Sequence, residues 1–162
     1  MIASGFDKPM DTERLMMTWG AAGELTGLFV AALLSATLLP GASEAAFALV
    51  LAKGTSSPTA AIAIATVGNT LGSTVNWAIG RFLSSYKHHP RFPVRSDRYA
   101  DYVAAYQRWG VWTLLLSWVP IIGDPLTVIS GALRTPLSLF IGLVTIAKLG
   151  RYLAVAGLVS WF

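Results

Sequence analysis

Cysteine is absent from the chain, which excludes a disulfide framework, a thiolate metal site and a cysteine nucleophile. Histidine is nearly absent. His88 and His89 are neighbours with no acidic or histidine partner at ligand spacing, so they read as loop residues and no metal is expected. Neither a Gly-x-Ser-x-Gly elbow nor a His-Glu-x-x-His helix occurs, and both enzymatic activity and a cofactor are therefore unexpected. Charge is scarce too. Only 12% of the 162 residues are charged, against 54% hydrophobic, and the mean hydropathy is +0.60. Such a chain has too little polar surface to keep a globule of this size in water, so it reads as an integral membrane protein.

The first twenty residues, "MIASGFDKPMDTERLMMTWG", lack the basic stretch, apolar core and small-residue cleavage site of a secretory signal. The apolar segment from Leu25 is thus expected to remain in the mature protein, and residues 1–24 to form an N-terminal interfacial segment. Residues 25–162 read as a single membrane domain. The net charge of +4 comes from cations gathered in one stretch beside hydrophobic segments. Positive-inside topology explains that pattern better than nucleic acid does.

Where hydrophobic runs occur, most are interrupted. Leu25–Leu39 is uncharged for 15 residues and stops at Pro40-Gly41, too short to cross a bilayer that needs about 20. Read from residue 15 instead, it could form one full span with Glu24 near its end. Ala45–Ala52 resumes the apolar character before a polar turn at Lys53–Thr59, which suggests a helical hairpin that dips into the membrane and returns. Residues 59–80 carry no charge and are the best candidate for a full crossing. Gly68, Gly72, Asn76 and Gly80 recur every fourth residue there, a small and polar stripe that lets another helix approach closely. Residues 81–108 hold Arg81, Lys87, Arg91, Arg95, Arg98 and Arg108 and read as a basic cytoplasmic loop. Residues 109–120 are again short and end at Pro120; the last segment, from Pro136, is long enough to span and places Lys148 and Arg151 on one helix face.

Set side by side, "LLSATLLPGASE" (33–44) and "LLSWVPIIGD" (115–124) share Leu-Leu-Ser, a proline, a glycine and then a carboxylate, Glu44 or Asp124. Polar turns come next at Lys53-Gly54 and Arg134-Thr135, then Pro58 or Pro136, a long apolar helix, and Gly80-Arg81 or Gly150-Arg151. The predicted fold is all-α: two inverted repeats, about 25–80 and 109–162, each a broken re-entrant hairpin followed by a transmembrane helix. Pro40, Gly41, Pro120 and Gly123 mark the breaks. A charged acid at the bilayer centre costs about 2.5–3.5 kcal/mol, so Glu44 and Asp124 read either as proton carriers or as caps on half-helices. Arg81, Arg134, Lys148 and Arg151 are the cations that could meet an anionic group.

"LLSATLLPGASE", "GNTLGSTVNWAIGRF", "RWGVWTLLLSWVPIIGD" and "KLGRYLAVAG" together resemble the DedA family of membrane proteins, also called VTT-domain proteins, in its short YqaA-like branch. The resemblance implies two re-entrant hairpins facing each other, a place in the bacterial inner membrane, and movement of anionic lipids such as undecaprenyl phosphate or phospholipids with proton coupling. Glu44 matches the family's first-hairpin acid, Gly80-Arg81 its Gly-Arg pair, and Gly131 and Phe140 its spaced glycine and phenylalanine, with Thr135 replacing an aliphatic residue between them. Larger relatives carry a second acid where this chain has Ser73, and arginines where it has Ser117 and Gly123. Membrane lipids are thus the expected partners, with a homo-oligomer also compatible. The alternative function is a non-transporting membrane organiser or scaffold supporting envelope homeostasis.

Overall fold

The computed structural model describes residues 12–36, 41–83, 96–119 and 121–161. Pro40, Pro120, His88, His89 and the most basic part of the expected loop lie outside the described residues. The elements are α1 (Thr12–Ser35), α2 (Ala42–Lys53), α3 (Pro58–Leu83), α4 (Ser96–Trp109), a 3₁₀ helix (Gly110–Trp118), α5 (Gly123–Ala132) and α6 (Leu137–Val159). Among the described residues the fold is all-helical.

Local chemistry sets the helix ends. Pro58 occupies the first position of α3, where its missing N–H costs nothing, and the Ala60 amide donates to Ser57 Oγ at 3.3 Å as an N-cap. Gly54 ends α2 in the left-handed region (φ 66°), its amide donating to Leu51 O. Arg134 takes the same left-handed role after α5 (φ 63°). Its amide donates to Gly131 O and that of Thr135 to Ser130 O, both at 2.9 Å, the pair of bonds of a Schellman motif.

α3 runs through the middle. A Cβ at Gly68 would lie 3.1 Å from the Ala32 Cβ, and one at Gly72 2.8 Å from that of Ala36, so the stripe lets α1 lie against α3. Asn76 Nδ2 then donates to Ala36 O at 2.6 Å where α1 ends. Gly80 faces the opposite neighbour: its Cβ would lie 2.8 Å from the Val128 carbonyl carbon of α5, while a Cβ on Gly131 would meet the Trp77 carbonyl carbon at the same distance. Two apolar cores result. Phe47, Leu28, Ala65 and Tyr152 centre one, between α1, α2, α3 and α6. Phe140, Ile129, Leu114 and Tyr106 centre the other, between α4, the 3₁₀ helix, α5 and α6.

Three expectations change. The boundary at residue 24 is not a structural break, because α1 continues through it and Glu24 is held by Lys53 Nζ at 3.2 Å and by Thr55. The 81–108 stretch is not all loop: Arg81 belongs to α3, and Ser96–Trp109 forms the amphipathic α4, which packs Tyr102, Val103 and Tyr106 inward. The helices long and apolar enough to cross a membrane are, among the described residues, Thr18–Ser35 and Leu137–Val159. α3, expected to be the clearest crossing, has the length, but it buries Thr66, Asn69, Thr70, Ser73 and Asn76 along its inner side. Large apolar side chains such as Val30, Leu34, Ile146, Leu153 and Leu158 point outward from α1 and α6. A water-soluble bundle would bury them; hydrocarbon accepts them.

Candidate functional site

The two interrupted segments share a backbone design. Gly41 (φ 96°) and Ile121 (φ 72°) each follow the proline and take the left-handed conformation. Three residues later comes the acid, Glu44 in the first turn of α2 and Asp124 in the first turn of α5. There the exposed amides and positive end of the helix dipole favour a carboxylate. For a β-branched residue such as Ile121 this conformation is strained. The second turn thus falls on Ile121 and not on the expected Gly123. Gly123 lies inside α5, where a Cβ would sit 2.9 Å from the Ser117 Cα.

Both acids converge on α6. Lys148 and Arg151, three residues apart, face the interior, and Lys148 is 1% exposed. Lys148 Nζ lies 3.8 Å from Asp124 Oδ1. Arg151 forms an ion pair with Glu44, so the acid of the first hairpin meets a cation of the last helix. Ser35 Oγ donates to Ser43 Oγ at 3.2 Å, and Ser43 Oγ to Glu44 Oε2 at 3.0 Å, which orients the carboxylate from its far side. Beside Arg151, Tyr152 is fully buried; its ring centre lies 5.2 Å from that of Phe47 with the planes inclined at 58°, and its hydroxyl accepts a 3.2 Å hydrogen bond from Asn69 Nδ2.

Part of this cluster borders a cleft of about 10 Å³, roughly the room of one water molecule. Asp124, Lys148 and Arg151 line it together with Ser35, Asn69 and Ser117. Asn69 Oδ1 and Ser117 Oγ are buried there with no hydrogen-bond partner among the described residues, as is Ser73 Oγ farther along α3. Unpaired buried oxygens of this kind are met by water or ligand, since leaving them unsatisfied costs about 1–3 kcal/mol each. With two carboxylates against two cations, the cluster as built is formally neutral.

Other expected positions lie elsewhere. Arg81 is exposed in the last turn of α3, its guanidinium 5.7 Å from the Trp77 ring centre, and Arg134 is exposed in the α5–α6 turn. The two Gly-Arg pairs are not equivalent, because Gly80-Arg81 ends its helix and Gly150-Arg151 sits in the middle of α6. Ser35, Ser43, Asn69 and Tyr152 do not stand out as site residues in the sequence. Their one sequence signal is a polar side chain in an otherwise apolar helix, and many such residues only cap or pack.

A family profile for the VTT domain matches residues 12–160. The chain is 39% identical over 134 residues to "Inner membrane protein YqaA" of Escherichia coli, an overlap covering 82% of this chain and 88% of the relative. The Shigella flexneri protein of the same name matches to the same extent. An uncharacterized protein of Haemophilus influenzae is 39% identical over 143 residues, covering 82% of this chain and 85% of the relative. No solved structure matches significantly. A profile spanning nearly the whole chain, relatives of the same length class and helices that turn apolar side chains outward agree: the chain belongs to the VTT-domain (DedA) family and is an inner membrane protein.

Proposed function

We propose that the protein is a flippase- or scramblase-like transporter of an anionic lipid, undecaprenyl phosphate or a phospholipid, coupled to protons and without enzymatic activity. The observation that carries this reading is the meeting of Glu44 and Asp124, one from each interrupted segment, with Arg151 and Lys148 of a single helix. In this reading each interrupted segment is a re-entrant hairpin. The Glu24 contacts with Lys53 and Thr55 bring α1 level with the α2–α3 turn. From there α1 to its end, and α2 itself, each rise about 18 Å, little more than half of a hydrocarbon core of about 30 Å. The 3₁₀ helix and α5 have similar reach, about 15–18 Å. Both acids then sit near the midplane, where irregular backbone and charge are tolerated only in a protein-lined cavity. The halves are inverted repeats with the site between them.

The neutrality of the cluster supports proton coupling. A lipid phosphate arriving at Arg151 must compete with Glu44, and a proton taken up by the displaced carboxylate offsets one negative charge of the headgroup, the whole charge of a phosphodiester. Ser73, Ser117 and Gly123 stand where larger relatives are charged. In this chain Lys148 and Arg151 supply the positive charge, and the close seat of Gly123 on the Ser117 backbone leaves no room for an arginine there.

The test is movement of fluorescent undecaprenyl phosphate and phosphatidylglycerol analogues in proteoliposomes, with and without a pH gradient. Wild type should move lipid faster with the gradient, and Glu44→Gln should lose that movement while inserting normally. An unaltered rate in Glu44→Gln rejects the role of the carboxylate. Failure of correctly inserted wild type to move any lipid would favour the membrane-organiser reading, which the neutral residues at 73, 117 and 123 suit.

A further inference from the structure

Arg151 borders two spaces. One is the small polar cleft it shares with Asp124 and Lys148; the other is a lateral groove of about 270 Å³ between the 3₁₀ helix and α6. Trp118, Ile146, Ala147, Gly150 and Ala154 line the groove, and Arg151 is its charged wall. Ala147, Gly150 and Ala154 recur at helical spacing, so a shallow channel runs along α6 with Ile146 and Trp118 as its exposed sides. A Cβ at Gly150 would meet nothing within 4 Å, which leaves the floor of the channel open.

We propose that this groove seats one acyl chain of a membrane phospholipid whose phosphate is held at Arg151. The cleft can admit polar atoms but is far too small for a hydrocarbon chain, and among the described residues the groove offers no charged partner besides Arg151. A lipid held at Arg151 must divide at that residue, its phosphate at the mouth of the cleft and its tail along the groove. The groove lies just below the range of about 300–1,000 Å³ typical of small-molecule sites, which suits a length of a single chain. Its surroundings are bilayer hydrocarbon, and a gap left there would forfeit dispersion contacts that a lipid tail restores. The proposal rests on the reading of the charged cluster as a headgroup site.

The experiment uses the full chain in vesicles of phosphatidylcholine and phosphatidylglycerol doped with a phosphatidylglycerol carrying a diazirine midway along one acyl chain. After illumination, mass spectrometry locates the adducts. The expected result is concentration of label at Trp118 and the 147–154 segment. Gly150→Leu, which fills the channel, should reduce it several-fold, and Ala154→Phe should do the same as an independent obstruction. Gly142→Leu, on an equally open part of α6, should leave it unchanged. A diazirine-bearing diacylglycerol, which lacks the phosphate, should label the groove less than phosphatidylglycerol, and Arg151→Gln should abolish that preference. Label spread evenly over the outer face of α6, or unaffected by both obstructions, overturns the proposal. Groove-specific labelling by a wild type that moves no lipid would support the groove and reject transport. Lipid movement without groove-specific labelling would reject the groove and leave transport standing.

Discussion

Lys148 is the least exposed cation among the described residues, and Asp124 is its ionic partner. Removing one member of a buried pair strands the other, at a cost of about 3–5 kcal/mol, whereas replacing both with neutral groups of similar size is often close to neutral. Asp124→Asn alone should therefore lower the thermal unfolding midpoint in detergent markedly, and Asp124→Asn with Lys148→Met should recover most of the loss. An unshifted midpoint for Asp124→Asn would mean that the pair contributes little to stability. At this scale the sequence is partly readable. Glu44 and Asp124 stand out because an acid beyond a proline in an apolar run has few structural uses. Arg81 and Arg134 look equivalent to Arg151 because spacing along a chain carries no information about depth. The bond between Asn69 and Tyr152 joins helices distant in sequence and leaves no local pattern to find.

Among the elements, the α3–α5 crossing depends on Gly80 and Gly131, each facing the other helix's backbone. Adding a methyl group at either must push two backbones apart, with an overpacking cost of about 1–3 kcal/mol. Gly142 and Gly157 have open space around them, and alanine in an open helical position gains up to about 1 kcal/mol over glycine. Gly80→Ala and Gly131→Ala should thus unfold at lower temperature in detergent, and Gly142→Ala and Gly157→Ala at the same or higher temperature. Equal behaviour of the two sets would remove the close crossing. The stripe of small residues is legible from its period, but not that Gly68 and Gly72 serve α1 while Gly80 serves α5. α4 is hidden for a different reason. Its charges outweigh the apolar positions Tyr102, Val103 and Tyr106, which acquire meaning only when a core exists to receive them.

For the whole molecule, inverted hairpins require the α2–α3 turn and the α5–α6 turn to lie on opposite sides of the membrane. Trp77 Nε1 donates to Thr135 O at 3.2 Å, and Tyr106 shares a hydrogen bond with Thr135 Oγ1, which ties the α5–α6 turn to the ends of α3 and α4 near the basic stretch. In the proposed arrangement that level faces the cytoplasm, as positive-inside topology requires. Because the chain has no cysteine, single substitutions report cleanly. Thr59→Cys should react with an impermeant maleimide added outside spheroplasts and Ser138→Cys only after lysis; labelling of both from one side would refute the inverted arrangement. The punctuation that suggests a repeat is readable in the sequence, whereas the division of α6 between two cores is not, since it depends on how distant segments fit together.

The ion pair between Glu44 and Arg151 also sets a timetable. More than half the chain separates the two residues, so during synthesis the first hairpin carries its acid without a partner until the last helix emerges. At bacterial elongation rates of about 5–20 residues per second, that delay is on the order of ten seconds. Nascent chains that stop before α6 should therefore hold the first hairpin at the bilayer surface, and insertion of the amino-terminal half becomes an event completed from the carboxy-terminal end.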